Sequence, residues 1–299
     1  MKKVSQTNAI LLIVCLMYLI LYVDRVNIST VAPLIQKDLA LSNTEIGLAL
    51  SAFAYPYAAF QLIGGYLGDK FGVRLTLTIS ALIVCVATAS TAFVGGLAAL
   101  FMARITLGIG EGATLPTATR AMALWIPESR WGFAQGITHT FARIGNALTP
   151  PLIVFLLEAM SWRESFLVVA LLSLIWVIVW VWYLRYIPKD PPKFKIQQAS
   201  RGKLHSSGAS ESVPWFRLLR RMLPVTAVDF CYGWTLWLFL SWIPSFFYQN
   251  YHQDLKHSAL FSTGVFLAGV LGDTMGGVLS DRILKRTGSR NQARRNVIV

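Results

Sequence analysis

Charge is what this 299-residue chain has least of: only 14% of its residues are Asp, Glu, Lys or Arg, against about a quarter in an ordinary soluble domain. With 55% hydrophobic residues beside that scarcity, a water-soluble globule is excluded and the lipid bilayer becomes the expected solvent. Cysteine is almost missing. Cys15, Cys85 and Cys231 each lie in an apolar run with no CxxC spacing, which excludes a disulfide framework and a zinc site and leaves them as small buried hydrophobes. There is no HExxH, no GxSxG and no phosphate-cradling GxxxxGK[ST], so neither an enzyme nor a metal or organic cofactor is expected.

What is present is a series of apolar runs. Crossing about 30 Å of hydrocarbon takes about 20 residues, and eight such runs can be drawn, at 8–30, 45–67, 75–94, 97–123, 132–157, 164–186, 222–248 and 258–279. The first follows Lys2 and Lys3 as a signal peptide would. No small-residue cleavage site follows it, so it is read as a retained helix. The fold class is therefore all-α, a polytopic membrane protein with three parts: a six-helix bundle over 1–186, a polar basic linker over 187–221, and a second, incomplete bundle over 222–299. The linker, from Pro188 to Arg221, is too polar to pack and joins the two parts.

The 27 basic residues orient the chain. With the N-terminus in the cytoplasm, most of them fall on cytoplasmic segments, and only Lys37, Arg163 and Lys256 lie on the far side. The net charge of +13 then reports topology and anionic inner-leaflet lipid, with no need for nucleic acid. Small residues at helical spacing, Gly64 and Gly68, Gly108 and Gly112, Gly132 and Gly136, Gly272 and Gly276, read as positions of close helix packing.

The informative residues are ionisable groups inside the spans, each costing about 2.5–3.5 kcal/mol at a helix centre unless it has a partner or a polar cavity. Span one carries Asp24 and Arg25, and span four carries Arg104 at about the same depth. Glu111 lies two turns further along on the Arg104 face, about 10 Å deeper. Span five adds His139 and Arg143, spaced i,i+4, with Arg143 level with Glu111. Flanked by Tyr22, Tyr57 and Gln61, these groups make one polar cavity. Guanidinium groups bind a carboxylate through paired hydrogen bonds and keep their charge when desolvated, while a carboxylate held in low dielectric can carry a proton near neutrality. Fixed cations beside titratable acids suit proton-coupled uptake of an organic anion. The bland alternative pairs Asp24 with Arg104 and Glu111 with Arg143 as structural ion pairs. Two further alternatives are a membrane sensor that keeps the binding residues and an inactive fragment of a transporter.

Two loops are near-repeats. Gly65-Tyr-Leu-Gly-Asp69-Lys70-Phe-Gly72-Val-Arg74 follows the second span, and Gly277-Val-Leu-Ser-Asp281-Arg282 follows the eighth. In this spacing the chain resembles the major facilitator superfamily, whose signature loop it is. In Tyr22-Val-Asp24-Arg25-Val-Asn27 and Arg104-Ile-Thr-Leu-Gly108-Ile-Gly-Glu111-Gly it resembles, more narrowly, the anion:cation symporter family, which includes bacterial permeases for sugar acids, tartrate and phthalate. That resemblance implies a fold of two six-helix bundles, so this chain, with eight spans, is expected to be truncated. It implies a monomer in the inner (plasma) membrane that takes up a small organic anion with protons by alternating access, the proton being the coupling ion. It assigns the proton to Asp24 and Glu111, the anion and the gating charges to Arg25 and Arg104, and substrate contact to Tyr22 and Tyr57. It implies no role for His139 or Arg143, and the Pro that commonly follows the span-four Glu comes later here, at Pro116. It also implies that Asp281 faces the start of span five near Ser129 to Gly132, while Asp69 lacks its partner in the other half.

Overall fold

A computed structural model describes residues 3–127, 130–186, 215–250, 254, 256–268, 283 and 286. The elements among these residues are helices: α1 (Lys3–Asp38), α2 (Asn43–Ser51), α3 (Ala54–Lys70), α4 (Val73–Thr91), α5 (Leu97–Trp125), α6 (Trp131–Leu157), α7 (Trp162–Leu184) and α8 (Trp215–Asn250), with a further helical stretch at 256–268. Among the described residues seven helical segments are long and apolar enough to cross a membrane, α2 and α3 together making one of them. The run at 258–279 is helical over 256–268 and then passes outside the described residues. The same holds for the part of the linker before Trp215, where α8 already begins inside the stretch read as linker.

The second span is a broken helix, and the cause is local. Pro56 has no N–H to offer the carbonyl of Ala52, and its ring crowds that carbonyl, so the helix stops at Ser51 and restarts at Ala54. The break leaves the Phe53 carbonyl facing α5. α5 can approach because Gly108 and Gly112 present no side chain there: a Cβ on Gly112 would lie 2.5 Å from the Tyr57 carbonyl oxygen and 2.9 Å from Phe60 Cβ. A Cβ on Gly108 would strike the Phe53 carbonyl and Pro56. Close backbone approach of this kind is a main source of helix association in lipid. The pair Gly132 and Gly136 is different, with open space where their side chains would be. Gly272 and Gly276 lie outside the described residues.

α5 packs between α3 and α4, and α1 lies against α6 and α7. Two helix starts carry full capping boxes, Ser42 with Glu45 and Ser161 with Glu164. Arg163 at the start of α7 ion-pairs with Asp38 at the end of α1 and donates to the Val94 carbonyl at 3.0 Å, which ties three spans together at one end. α8 joins this bundle at the same end. Gln249 donates to Gln36 at 3.2 Å, and Lys256, just beyond α8, reaches Glu158 at 3.2 Å.

Candidate functional site

α1 runs through the middle of the bundle and presents two chemistries on different sides, because consecutive helical residues point about 100° apart. Arg25 turns toward α5, where its Nε donates to Glu111 Oε2; the two side chains are 6% and 0% exposed. Asp24 turns toward α4 and α7 and accepts from Thr88 Oγ1 at 2.9 Å and Ser173 Oγ at 3.2 Å. Among the described residues neither pairing weighed from the sequence, Asp24 with Arg104 or Glu111 with Arg143, is made.

Aromatic rings surround the Arg25 guanidinium. Its Cζ lies 4.5 Å from the ring centroid of Tyr57, 4.7 Å from Tyr22, 5.4 Å from Phe53 and 5.6 Å from Trp237. Each ring face attracts a desolvated cation by about 0.5–2 kcal/mol. Tyr57 and Phe53 stack on each other at 5.2 Å, an arrangement set by the α2–α3 break and the close α3–α5 approach. Arg104 lies over the same Phe53 ring at 4.9 Å, so the two guanidiniums do share a level. Arg104 is 5% exposed, and among the described residues it has no carboxylate partner.

The pair is not saturated. Arg25 Nη2, Arg104 Nε and Glu111 Oε1 are buried and have no hydrogen-bond partner among the described residues. A buried polar atom left unpaired costs about 1–3 kcal/mol. Two donors and one acceptor converging on a ring-walled site make a place where a ligand's oxygen atoms would repay that cost.

The remaining sequence-predicted residues are less central. Tyr22 and Tyr57 are half-buried against the core. Arg143 is half-buried on α6, and His139, one turn before it, is exposed with its ring edge-on to Tyr18 at 5.9 Å. Gln61, one turn past Tyr57, is exposed. In the first signature loop Gly65 and Gly72 face open space, and Gly72 starts α4 from φ 84°, in the left-handed region that favours glycine. Asp69 ion-pairs with Arg120 of α5, within the first bundle. Lys70 lies over the rings of Tyr66 and Phe71, and Arg74 Nη1 donates to the Leu184 carbonyl at 3.4 Å, a basic group where the carbonyl end of α7 needs one. Gly277, Asp281 and Arg282 lie outside the described residues, as does the expected contact of Asp281 near Ser129.

Sequence reasoning missed four neighbours of the site: Phe53, Trp237, Thr88 and Ser173. Pro56 is a signal that could have drawn attention to Phe53. The others carry no pattern of their own. A cavity of about 730 Å³ opens elsewhere, lined by Lys37, Glu158, Trp162 and Lys256. Its Glu158 and Lys256 neutralise each other, and it holds none of the buried charges.

A bundle of membrane-length helices built around buried, incompletely paired arginines and acids is the architecture of a multi-pass membrane protein that handles charged solutes. The chain belongs to the Major Facilitator Superfamily, whose family model matches residues 14–299. It is 47% identical to a probable sulfoacetate transporter of Cupriavidus necator over 301 residues, covering 99% of this chain and 70% of that protein. It is 30% identical to the hexuronate transporter of Bacillus subtilis, covering 89% of this chain and 62% of that protein, and 28% identical to the D-galactonate transporter of Escherichia coli O6:H1, covering 97% and 70%. The chain thus spans about two thirds of the length of these relatives, and less than that of the hexuronate transporter. Its fold is similar to a bacterial homologue of the human lysosomal transporter Spinster (TM-score 0.73, 18% identity, 94% of this chain and 64% of that one). It is also similar to a D-xylose–proton symporter (TM-score 0.70, 17% identity, 94% and 70%). These relatives are transporters, in keeping with the expectation that the chain is not an enzyme.

Proposed function

We propose that the chain acts in secondary active transport, taking up a small organic anion with protons across the inner membrane by alternating access, its N-terminus in the cytoplasm. The observation that carries this reading is the buried Arg104, without a carboxylate partner among the described residues, beside an Arg25–Glu111 pair in which Arg25 Nη2 and Glu111 Oε1 are unmet among the same residues. The relatives named for sulfoacetate, hexuronate and galactonate carry substrates that share one feature, an acidic anion.

The geometry supports the following coupling route. While Glu111 is ionised it neutralises Arg25, and Arg104 alone offers a free positive charge. When Glu111 takes a proton it stops competing for the guanidinium, and Arg25 is released to bind the anion together with Arg104. Proton and anion then load together, and neither is favoured alone. Asp24 is a second proton site on the far side of α1, held by the Thr88 and Ser173 hydroxyls. The proton is the coupling ion and no other cofactor is invoked.

In reconstituted vesicles, Glu111→Gln is expected to abolish proton-driven accumulation while exchange of internal for external anion continues, because the neutral side chain mimics the loaded state. Arg104→Lys is expected to lower uptake about tenfold or more, since Lys keeps the charge and loses the planar fork. Equal loss of accumulation and exchange in Glu111→Gln, with full uptake by Arg104→Lys, would reduce these residues to structural partners.

A further inference from the structure

We infer that Trp237 is the specificity-determining wall of the anion site, and that it selects compact anions poor in hydroxyl groups; the inference rests on the anion-transport reading above. Of the four rings around Arg25, three come from α1 and the α2–α3 span, whereas Trp237 is brought in by α8. It packs tilted on Phe53 at 5.6 Å and edge-on to Tyr57 at 6.2 Å, and so closes the side of the guanidinium that the first bundle leaves uncovered.

The enclosure decides what can bind. Phe53 and the indole face have no hydrogen-bonding atom to give a ligand, and the indole N–H is a donor only. On the charged side chains beside the rings, the atoms unpaired among the described residues are two guanidinium donors, which suit anionic oxygens, and a single carboxylate acceptor, Glu111 Oε1; the other unpaired amide atoms belong to Asn27 of α1 and Asn146 of α6, on other helices than α8, which supplies the Trp237 wall. Besides these, the cage supplies the phenol groups of Tyr22 and Tyr57. A hydroxyl-rich sugar acid pressed against the Trp237 face would bury hydroxyls without partners, each at a cost of about tenfold in affinity. A small dianion such as a two-carbon sulfonate-carboxylate meets no such cost, because all its polar atoms are oxygens that accept from Arg25, Arg104 and the phenols. A site built to hydrogen-bond hydroxyls would place an amide or carboxylate where this chain places an indole.

The test is the ratio of affinities for two probes, sulfoacetate and galacturonate, measured on the purified full chain. Wild type is expected to favour sulfoacetate by about tenfold or more. Trp237→Gln, which puts an amide at the wall, is expected to narrow that ratio about tenfold by strengthening galacturonate. Trp237→Phe is expected to preserve the ratio. Trp237→Tyr, on a frame close to the original, moves the ratio in the same direction as the Gln variant by a smaller factor and serves where the Gln variant does not fold. Equal weakening of both probes by the Gln and Tyr variants, or a wild type with no preference, would overturn the inference, since a merely structural indole changes both affinities together. Arg104→Lys separates this from the underlying reading. It should lower both affinities and leave the ratio intact; unchanged affinities there would defeat the underlying anion site and the inference with it, whereas lowered affinities together with equal weakening of both probes by the Trp237 variants would defeat the inference alone.

Discussion

The Arg25–Glu111 pair can be broken from either side, and the structure relieves the survivor of each cut by a different route. Removing one member of a buried ion pair costs about 3–5 kcal/mol because the survivor is left charged and unpaired. In Glu111→Gln the survivor is Arg25, which cannot give up its charge, but four rings lie within 5.6 Å of its Cζ. The rings already face Arg25 in the wild type, and each acts more strongly on a cation that no carboxylate neutralises; at about 0.5–1 kcal/mol per partly effective ring face the cage offsets about half of the penalty, leaving about 2 kcal/mol. In Arg25→Met the survivor is a carboxylate, which can neutralise itself by taking a proton; the rings gain an apolar neighbour, and the loss is again about 2 kcal/mol. The double variant Arg25→Met/Glu111→Gln leaves no charge behind and should be less destabilised than the sum of the singles by about 2 kcal/mol. Thermal unfolding of the four proteins in one detergent, followed by intrinsic fluorescence at a fixed scan rate, gives the cycle. Additivity within about 0.5 kcal/mol would refute the reasoning, because it would mean that neither charge depends on the other.

Three further outcomes follow from the packing and the termini. Gly112→Val should separate α3 from α5, since a Cβ there already falls 2.5 Å from the Tyr57 carbonyl oxygen; a loss of about 1–3 kcal/mol, read as a lower unfolding temperature with weakened anion binding, is expected, and wild-type behaviour in both would contradict the close approach. Thr88→Val together with Ser173→Ala removes both hydroxyl donors to Asp24 and should shift the pH profile of uptake without altering affinity at the plateau; an unchanged profile would remove Asp24 from coupling. At the start of the helix over 256–268, Asp254 accepts from the His257 backbone N–H at 2.8 Å and faces its ring at 2.6 Å, and these bonds hold its carboxyl below the usual carboxylate value. A depressed value means that the cap is intact above the ordinary carboxylate range, about pH 4, and is lost as pH falls below it, so the protection of amides around 256–260, taken relative to their intrinsic exchange rates at each pH, should fall in acid in wild type and be low at all pH values in Asp254→Ala.

Much of this architecture is legible in the residues. The apolar runs placed α4 to α7 within a few residues of their observed bounds, because a membrane helix must satisfy its own backbone and therefore declares its length. The buried charges at Asp24, Arg25, Arg104 and Glu111 were equally visible, since their cost in lipid makes them conspicuous. Their pairing was not. Counting residues along helices locates Cα atoms, whereas Arg25 carries its charge at the end of a long side chain and reaches Glu111, which axis arithmetic had set level with Arg143. Asp24 found hydroxyls rather than a cation because Thr88 and Ser173 face it from α4 and α7, and neighbours of that kind have no sequence spacing. The same applies to Trp237, which comes from a helix more than a hundred residues away in the chain, and to Gly132 and Gly136, whose pattern matches that of Gly108 and Gly112 although no described residue packs there.

The central claim is that anion and proton cross together. Full-length protein reconstituted into vesicles carrying an internal pH dye tests it most directly, with sulfoacetate added outside at equal pH and the membrane potential clamped. The account predicts an immediate internal acidification that saturates with sulfoacetate and disappears in Glu111→Gln; entry of sulfoacetate with no change in internal pH would contradict it.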